Sequence, residues 1–157
     1  MDCDKNCSTC QSTCGKQCPV CGATAISVNT ATVLNLTDSP VNVNDHFYLC
    51  LNGNCNTAYF NETGHLIEKS ELNVPIWFKS SFFEYIVCYC RKIYLKDIMK
   101  AVFSLENPTK EEIIRFLGKD KIESNCIANN PTSKSCDLLF DNAIEYAKEL
   151  KEKDNTE

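Results

Sequence analysis

The chain has 157 residues, with 16 Lys+Arg against 21 Asp+Glu and a formal net charge of -5. That acid excess leaves no basic face to displace phosphate counterions, which argues against nucleic-acid binding. No apolar run approaches the ~18 to 20 residues of a membrane span. Met1-Asp2-Cys3-Asp4-Lys5 carries no basic segment leading into an apolar one, so neither membrane insertion nor export is expected and the expected compartment is the cytoplasm. The length suits one ordinary domain or two small ones.

Twelve cysteines against two histidines are the unusual count. In a reducing compartment thiols pair with metal more readily than with each other. They fall into three fours: Cys3, Cys7, Cys10 and Cys14; Cys18, Cys21, Cys50 and Cys55; Cys88, Cys90, Cys126 and Cys136. Four is the coordination number of a tetrahedral thiolate site.

Residues 1–16 read as a cysteine-rich tail. Ser8, Thr9, Gln11, Ser12 and Thr13 lie between its cysteines, with no apolar anchor. It is either a soft-metal hook, for Cu(I) or zinc, or a disordered thiol-rich lead. The spacing Cys3-x3-Cys7-x2-Cys10 repeats as Cys14-x3-Cys18-x2-Cys21, which also makes Cys14 a rival ligand for the next site.

Residues 17–80 read as a small β-rich, zinc-ribbon-like module. Cys18-Pro19-Val20-Cys21-Gly22 is a knuckle whose turn brings two sulfurs to one ion, with Gly22 free to take a positive φ on leaving. The return pair is Cys50-x4-Cys55, around the turn dipeptide Asn52-Gly53. Strands are expected at Ala25–Asn29, His46–Leu51 and Thr57–Phe60. Four protein thiolates leave no open coordination position, so the zinc is expected to be structural. His46 and His65 read as surface or packed histidines. Trp77, Phe78, Phe82, Phe83 and Tyr85 read as core or as a seam between modules.

Residues 81–157 read as a helical module. Cys88-Tyr89-Cys90 is too tight for a zinc knuckle and is a spacing common where thiolates hold iron–sulfur clusters. Leu95, Ile98, Met99, Val102 and Phe103 make an amphipathic stripe. Thr109 with Glu112 makes a capping box ahead of Ile113, Ile114, Phe116 and Leu117, and Gly118 is the expected stop. The loop from Cys126 to Cys136, rich in Asn, Ser, Thr and Pro, can wrap an anion; the bland reading leaves both cysteines as free thiols. A last helix is expected from Cys136 or Asp137, its N–H groups facing sulfur and its apolar face carrying Leu139, Phe140, Ala143, Ile144, Ala147 and Leu150. Lys151–Glu157 reads as a frayed tail. The fold class is therefore α+β.

With both quartets placed, residues 16 to 150 resemble the N-terminal metal domain of CopZ-type copper chaperones. The matching pieces are Cys18-Pro19-Val20-Cys21-Gly22, Phe47-Tyr48-Leu49-Cys50 with Cys55, Ala58-Tyr59-Phe60, Val87-Cys88-Tyr89-Cys90, and Asn130-Pro131. The resemblance implies zinc on Cys18, Cys21, Cys50 and Cys55. It implies a two-iron two-sulfur cluster on Cys88, Cys90, Cys126 and Cys136, similar to bacterioferritin-associated ferredoxin. The C-terminal heavy-metal-associated domain of such chaperones, with its Gly-Met-x-Cys-x-x-Cys loop, has no counterpart: Met1 and Met99 are the two methionines and no cysteine follows Cys136.

The function expected is one-electron transfer in copper handling, as Cu(II) to Cu(I) reduction or as an accessory to a metallochaperone. The alternative is a Cu(I) or zinc buffer built on the Cys3–Cys14 tail, with the cluster structural or regulatory; a pure scaffold is the third reading. Expected partners are metal ions, a redox protein, and a copper-transporting ATPase or separate copper chaperone. Nothing marks a classical enzyme: there is no Ser/His/Asp order, no phosphate-cradling glycine loop and no recognisable carboxylate pair.

Overall fold

The computed structural model describes residues 16–156. The first half is built on an antiparallel meander in the order β1-β2-β3-β4, with β1 at Ala25–Val28, β2 at Phe47–Cys50, β3 at Thr57–Asn61 and β4 at Leu66–Glu68. Ala25 pairs with Cys50, and Leu49 with Tyr59. Three of these strands follow the sequence reading. β4 does not, because Leu66–Glu68 is short and exposed at both ends, leaving almost no periodic signal.

A helix, α1 at Thr30–Leu36, crosses after β1. Its sequence, with Thr30, Thr32 and Val33, has poor intrinsic helix propensity. Burial of Thr32, Val33 and Leu36 holds it instead, which is why local sequence gave no sign of it. The core beneath the sheet gathers Val28, Val33, Phe47, Leu49, Tyr59 and Ile67.

The second half opens with a two-stranded hairpin, β5 at Ile86–Cys88 and β6 at Ile93–Tyr94. This strand pair was not expected in a helical module. Lys92, at φ 52° in the left-handed region, turns the chain between the strands. α2 (Leu95–Ser104), α3 (Lys110–Phe116) and α5 (Asp137–Asn155) pack around Ile98, Val102, Ile113, Phe140 and Ile144. The Thr109 capping box is present: Thr109 Oγ1 accepts from Glu112 N at 3.3 Å and Glu112 Oε2 accepts from Thr109 N at 3.1 Å. Gly118 takes φ 72° just past α3.

Two expectations for this half are corrected. Phe103 and Phe116, placed on the apolar faces, are 42% and 43% exposed. The core takes only the Ile98/Val102 side of α2 and the Ile113/Ile114 side of the two-turn α3. Lys151–Glu157 is not a frayed tail within the described residues, since α5 runs to Asn155. Lys151 Nζ donates to the carbonyls of Val102 and Leu105 at 2.9 and 2.7 Å, satisfying acceptors left free at the end of α2.

The loop from Cys126 to Cys136 includes a single helical turn, α4 at Cys126–Asn129. It lies against the first half. Tyr59 Oη donates to Pro131 O at 2.7 Å, Asn29 N to Ser133 Oγ at 2.8 Å, and Asn35 Nδ2 to Ala128 O at 2.8 Å. Thr32 Oγ1 bonds Ile127 O and also Ser133 Oγ. The second pair of helical-half cysteines is thus positioned by α1 and β3.

Candidate metal centres

The Sγ atoms of Cys18, Cys21, Cys50 and Cys55 all lie within 4.8 Å of one another. Among the described residues no other group of three or more His, Cys, Asp and Glu ligand atoms is so close. A tetrahedral ion with bonds of about 2.3 Å needs sulfurs about 3.8 Å apart, so this set fits one zinc ion. Local chain geometry explains the convergence. Gly22 at φ 77° lets the knuckle turn back, with Gly22 N donating to Cys18 O at 2.8 Å. Ala25↔Cys50 pairing in the sheet sets the second turn beside it.

Cys18, Cys50 and Cys55 are buried while Cys21 is exposed. The backbone N–H of Ala23 beside Cys21 brings that thiol down to about 6, and burial pushes Cys50 up to about 12. Their sulfurs are 3.6 Å apart. The pair is therefore set up as a thiolate sharing a proton with a thiol, which zinc would displace.

The second turn has a backing that sequence reasoning missed. Lys79 is buried, at 4% exposure, and its Nζ donates to the carbonyls of Asn52 and Cys55, the latter at 3.1 Å. A cation here also faces the buried Cys50. Gly53 lies against the same segment: a Cβ there would stand 2.6 Å from Phe78 O.

Cys88, Cys90, Cys126 and Cys136 come together as a row of neighbouring sulfurs rather than one knot. Cys90 Sγ is 3.9 Å from Cys126 Sγ, and Cys136 neighbours both Cys88 and Cys126. The Cys88/Cys136 pair is buried and the Cys90/Cys126 pair is half-exposed. Tyr89, in the turn that follows β5, is anchored away from the sulfurs: its hydroxyl donates to Pro75 O at 2.7 Å and accepts from Trp77 N at 3.2 Å.

Donors surround these sulfurs. Asn125 N donates to Cys90 Sγ at 3.0 Å and Asn130 Nδ2 to Cys136 Sγ at 3.2 Å. Ser124 Oγ is 3.4 Å from Cys126 Sγ, and Arg91 Nη1 is 3.8 Å from Cys88 Sγ. The hydrogen bond with Cys136 holds Cys88 down at about 5, its partner correspondingly raised. Burial pushes Cys90 up. Burial also opposes ionisation of Cys126, but Ser124 and the Cys136 N–H outweigh it and the thiol is lowered. Cys136 is the N-cap of α5, as the sequence reading placed it. The loop's asparagine richness pointed to donors; which amides reach sulfur was not legible.

The remaining expected features are plain. Ser27 Oγ and His46 Nε2 are 2.8 Å apart, and His65 stacks edge-on against Phe47, so neither histidine joins a sulfur site. Trp77 packs with Ile86, Tyr89, Cys126 and Cys136 as a seam, whereas Phe83 is 73% exposed. Cys3, Cys7, Cys10 and Cys14 lie outside the described residues. Among the described residues no helix is long and apolar enough to cross a membrane.

Residues 15–73 match the model of a zinc-binding domain family, zf_CopZ. The structure is similar to the X-ray structure of the Archaeoglobus fulgidus CopZ N-terminal domain, with a TM-score of 0.64 and 25% sequence identity, over 81% of this chain and 96% of that one. No curated protein sequence matches the chain. The four gathered thiols lie within the residues that match the zinc-binding domain model, and the α+β fold is similar to that of the CopZ N-terminal domain.

Proposed function

We propose that this protein is a cytoplasmic one-electron carrier in copper handling, with a structural zinc on Cys18, Cys21, Cys50 and Cys55 and a two-iron two-sulfur cluster on Cys88, Cys90, Cys126 and Cys136. The observation that carries the second centre is the spread of its sulfurs. One ion draws four sulfurs into a single knot, as in the first quartet. Two irons take two thiolates each and need a longer row of sulfurs, and here Cys90, Cys126, Cys136 and Cys88 neighbour one another in that order. The donors on all four sulfurs suit thiolates, which accept hydrogen bonds, better than idle thiols.

Bound there, the cluster supplies one-electron exchange between states of about -2 and -3 charge. The residues do the rest. Trp77 and Tyr89 keep water from the Cys136 side, while Asn125 and Asn129 donate N–H groups to Cys90 and Asn130 donates to Cys136. The half-exposed Cys90 and Cys126 give the electron a short way to the surface. A partner with a basic face would be drawn to a chain whose charge is about -9 once both centres are loaded. Cu(II), taken as substrate, would accept one electron to become Cu(I), the form thiolates hold.

The division into residues 17–80 around zinc and 81–157 around the cluster belongs to this proposal. Anaerobic iron, sulfide and zinc analysis, with EPR of the dithionite-reduced protein, tests it. The expected result is two irons, two sulfides and one zinc per chain with a signal from reduced iron; a colourless protein holding only zinc overturns it.

A second reading draws on Cys21, the exposed and readily ionised thiol of the first site, together with the four thiols of the Cys3–Cys14 segment. It makes the protein a Cu(I) or zinc buffer. Cu(I) titration of the wild type and of a variant with Cys3, Cys7, Cys10 and Cys14 changed to Ser separates the two, since equal uptake removes the tail from the function.

A further inference from the structure

Arg91 follows directly on Cys88-Tyr89-Cys90. Of the side chains that donate to the second quartet, Ser124, Asn129 and Asn130 are neutral and Arg91 is charged. Its Nη1 stands 3.8 Å from Cys88 Sγ, and its backbone N–H bonds the same sulfur. Its Nε is buried and finds no hydrogen-bond partner among the described residues. A buried guanidinium N–H without an acceptor is rare, because a fork of fixed donors is expensive to desolvate and leave unbonded.

Among the described residues no carboxylate forms an ion pair with it either. The ion pairs among the described residues are Lys16–Glu62 and Lys110–Asp137. Asp137, which feels the Arg91 charge, is bonded to Lys110. The guanidinium is therefore turned toward sulfur, with one N–H on Cys88 and a second in want of an acceptor.

We propose that Arg91 is the positioning and potential-setting residue of the second centre. Its guanidinium holds the Cys88 thiolate and donates through Nε to the sulfur of the bound cluster, and its fixed charge raises the reduction potential. This inference rests on the two-iron reading. Reduction adds one electron and forms or breaks no bond; the charge on the centre goes from about -2 to about -3. A cation beside the centre stabilises the more negative state more, so the equilibrium moves toward the reduced form. The burial of Cys88 and Cys136, at 3% exposure each, keeps that charge from being screened.

The experiment is an anaerobic redox titration of the whole chain, followed by visible absorption and EPR, for the wild type, R91K and R91Q. Iron and sulfide content are measured on each. At the wild-type midpoint R91Q is expected to be about tenfold less reduced, a fall of about 59 mV for one electron. R91K keeps the charge but loses the planar fork, so its potential should fall by less. R91Q with full iron and sulfide and an unmoved potential overturns the proposal. If R91Q does not retain iron, R91K decides: a lowered potential supports the role, and one equal to wild type overturns it. A purely structural role would shift thermal stability while leaving the potential of the loaded protein in place. Wild-type protein without iron and sulfide would instead strike down the two-iron reading itself.

Discussion

Tyr59, fully buried in the middle of β3, donates its hydroxyl hydrogen to the carbonyl oxygen of Pro131 at 2.7 Å. β3 follows directly on Cys55, and Pro131 sits in the loop between Cys126 and Cys136. One hydrogen bond thus ties the sheet of the zinc-binding half to the loop that carries two sulfurs of the second quartet. Burial alone drives the Tyr59 phenol well above its ordinary range, so it stays a donor at any working pH.

Tyr59→Phe removes that donor and leaves Pro131 O buried without a partner. The loss should be about 1–3 kcal/mol. Zinc retention should be unchanged, while iron should be lost faster to a chelator. Denaturant unfolding together with timed iron release checks this; equal release from both proteins would mean that the loop holds without the sheet.

Lys79→Met keeps the apolar stem but drops the ammonium from the Asn52 and Cys55 carbonyls. The turn then loses two charge-assisted bonds, each worth roughly 1.5–3 kcal/mol. The first quartet should release zinc sooner under competition with a metal-binding dye. The second quartet should keep its metal as long as the fold survives, which iron analysis of the same sample reads out.

Gly53→Ala sets a methyl group against Phe78 O at 2.6 Å. The contact is with backbone, so the Cys50–Cys55 turn or the Phe78 segment must move. A destabilisation of about 1–3 kcal/mol is expected from such overpacking. Asn54→Ala, one residue later, sets no methyl group against Phe78 and leaves the Asn54 N–H bond to Asn52 Oδ1 in place, so it serves as the control in thermal unfolding.

Zinc binding should release protons in a pH-dependent number. Cys50, raised to about 12, must give up a proton to the solvent at any ordinary pH, whereas Cys21, lowered to about 6, is ionised above that value. Proton release per zinc should therefore rise by about one as pH falls through about 6, measured by calorimetry in buffers of different ionisation enthalpy. In metal-free protein the Cys21 contribution to stability is complete above the ordinary thiol value of 9.0 and is lost as pH falls toward about 6. Cys50 acts oppositely: its protonated form favours the fold up to 9.0, and that advantage is lost as pH climbs toward about 12.

Much of this was legible along the chain. Cys18-Pro19-Val20-Cys21-Gly22 and the Asn52-Gly53 turn announce themselves because a knuckle is local: the turn residues and ligands are neighbours. The Thr109–Glu112 cap and the start of α5 at Asp137 are local for the same reason. α1 was not legible, since its residues are poor helix formers held by burial. Nor was the hairpin at Ile86–Tyr94, whose strands of three and two residues carry no periodicity.

By itself, the sequence determined the turns that present Cys18, Cys21, Cys50 and Cys55 and the α+β class, because spacing and backbone preference act over a few residues. Tertiary structure alone decided which cysteine of the second quartet meets which. It also decided that Lys79 backs one turn, that Arg91 faces Cys88, and that Pro131 rests on Tyr59. Those relationships join residues many positions apart, and only the packing of α1, β3 and the Cys126–Cys136 loop brings them within hydrogen-bonding reach.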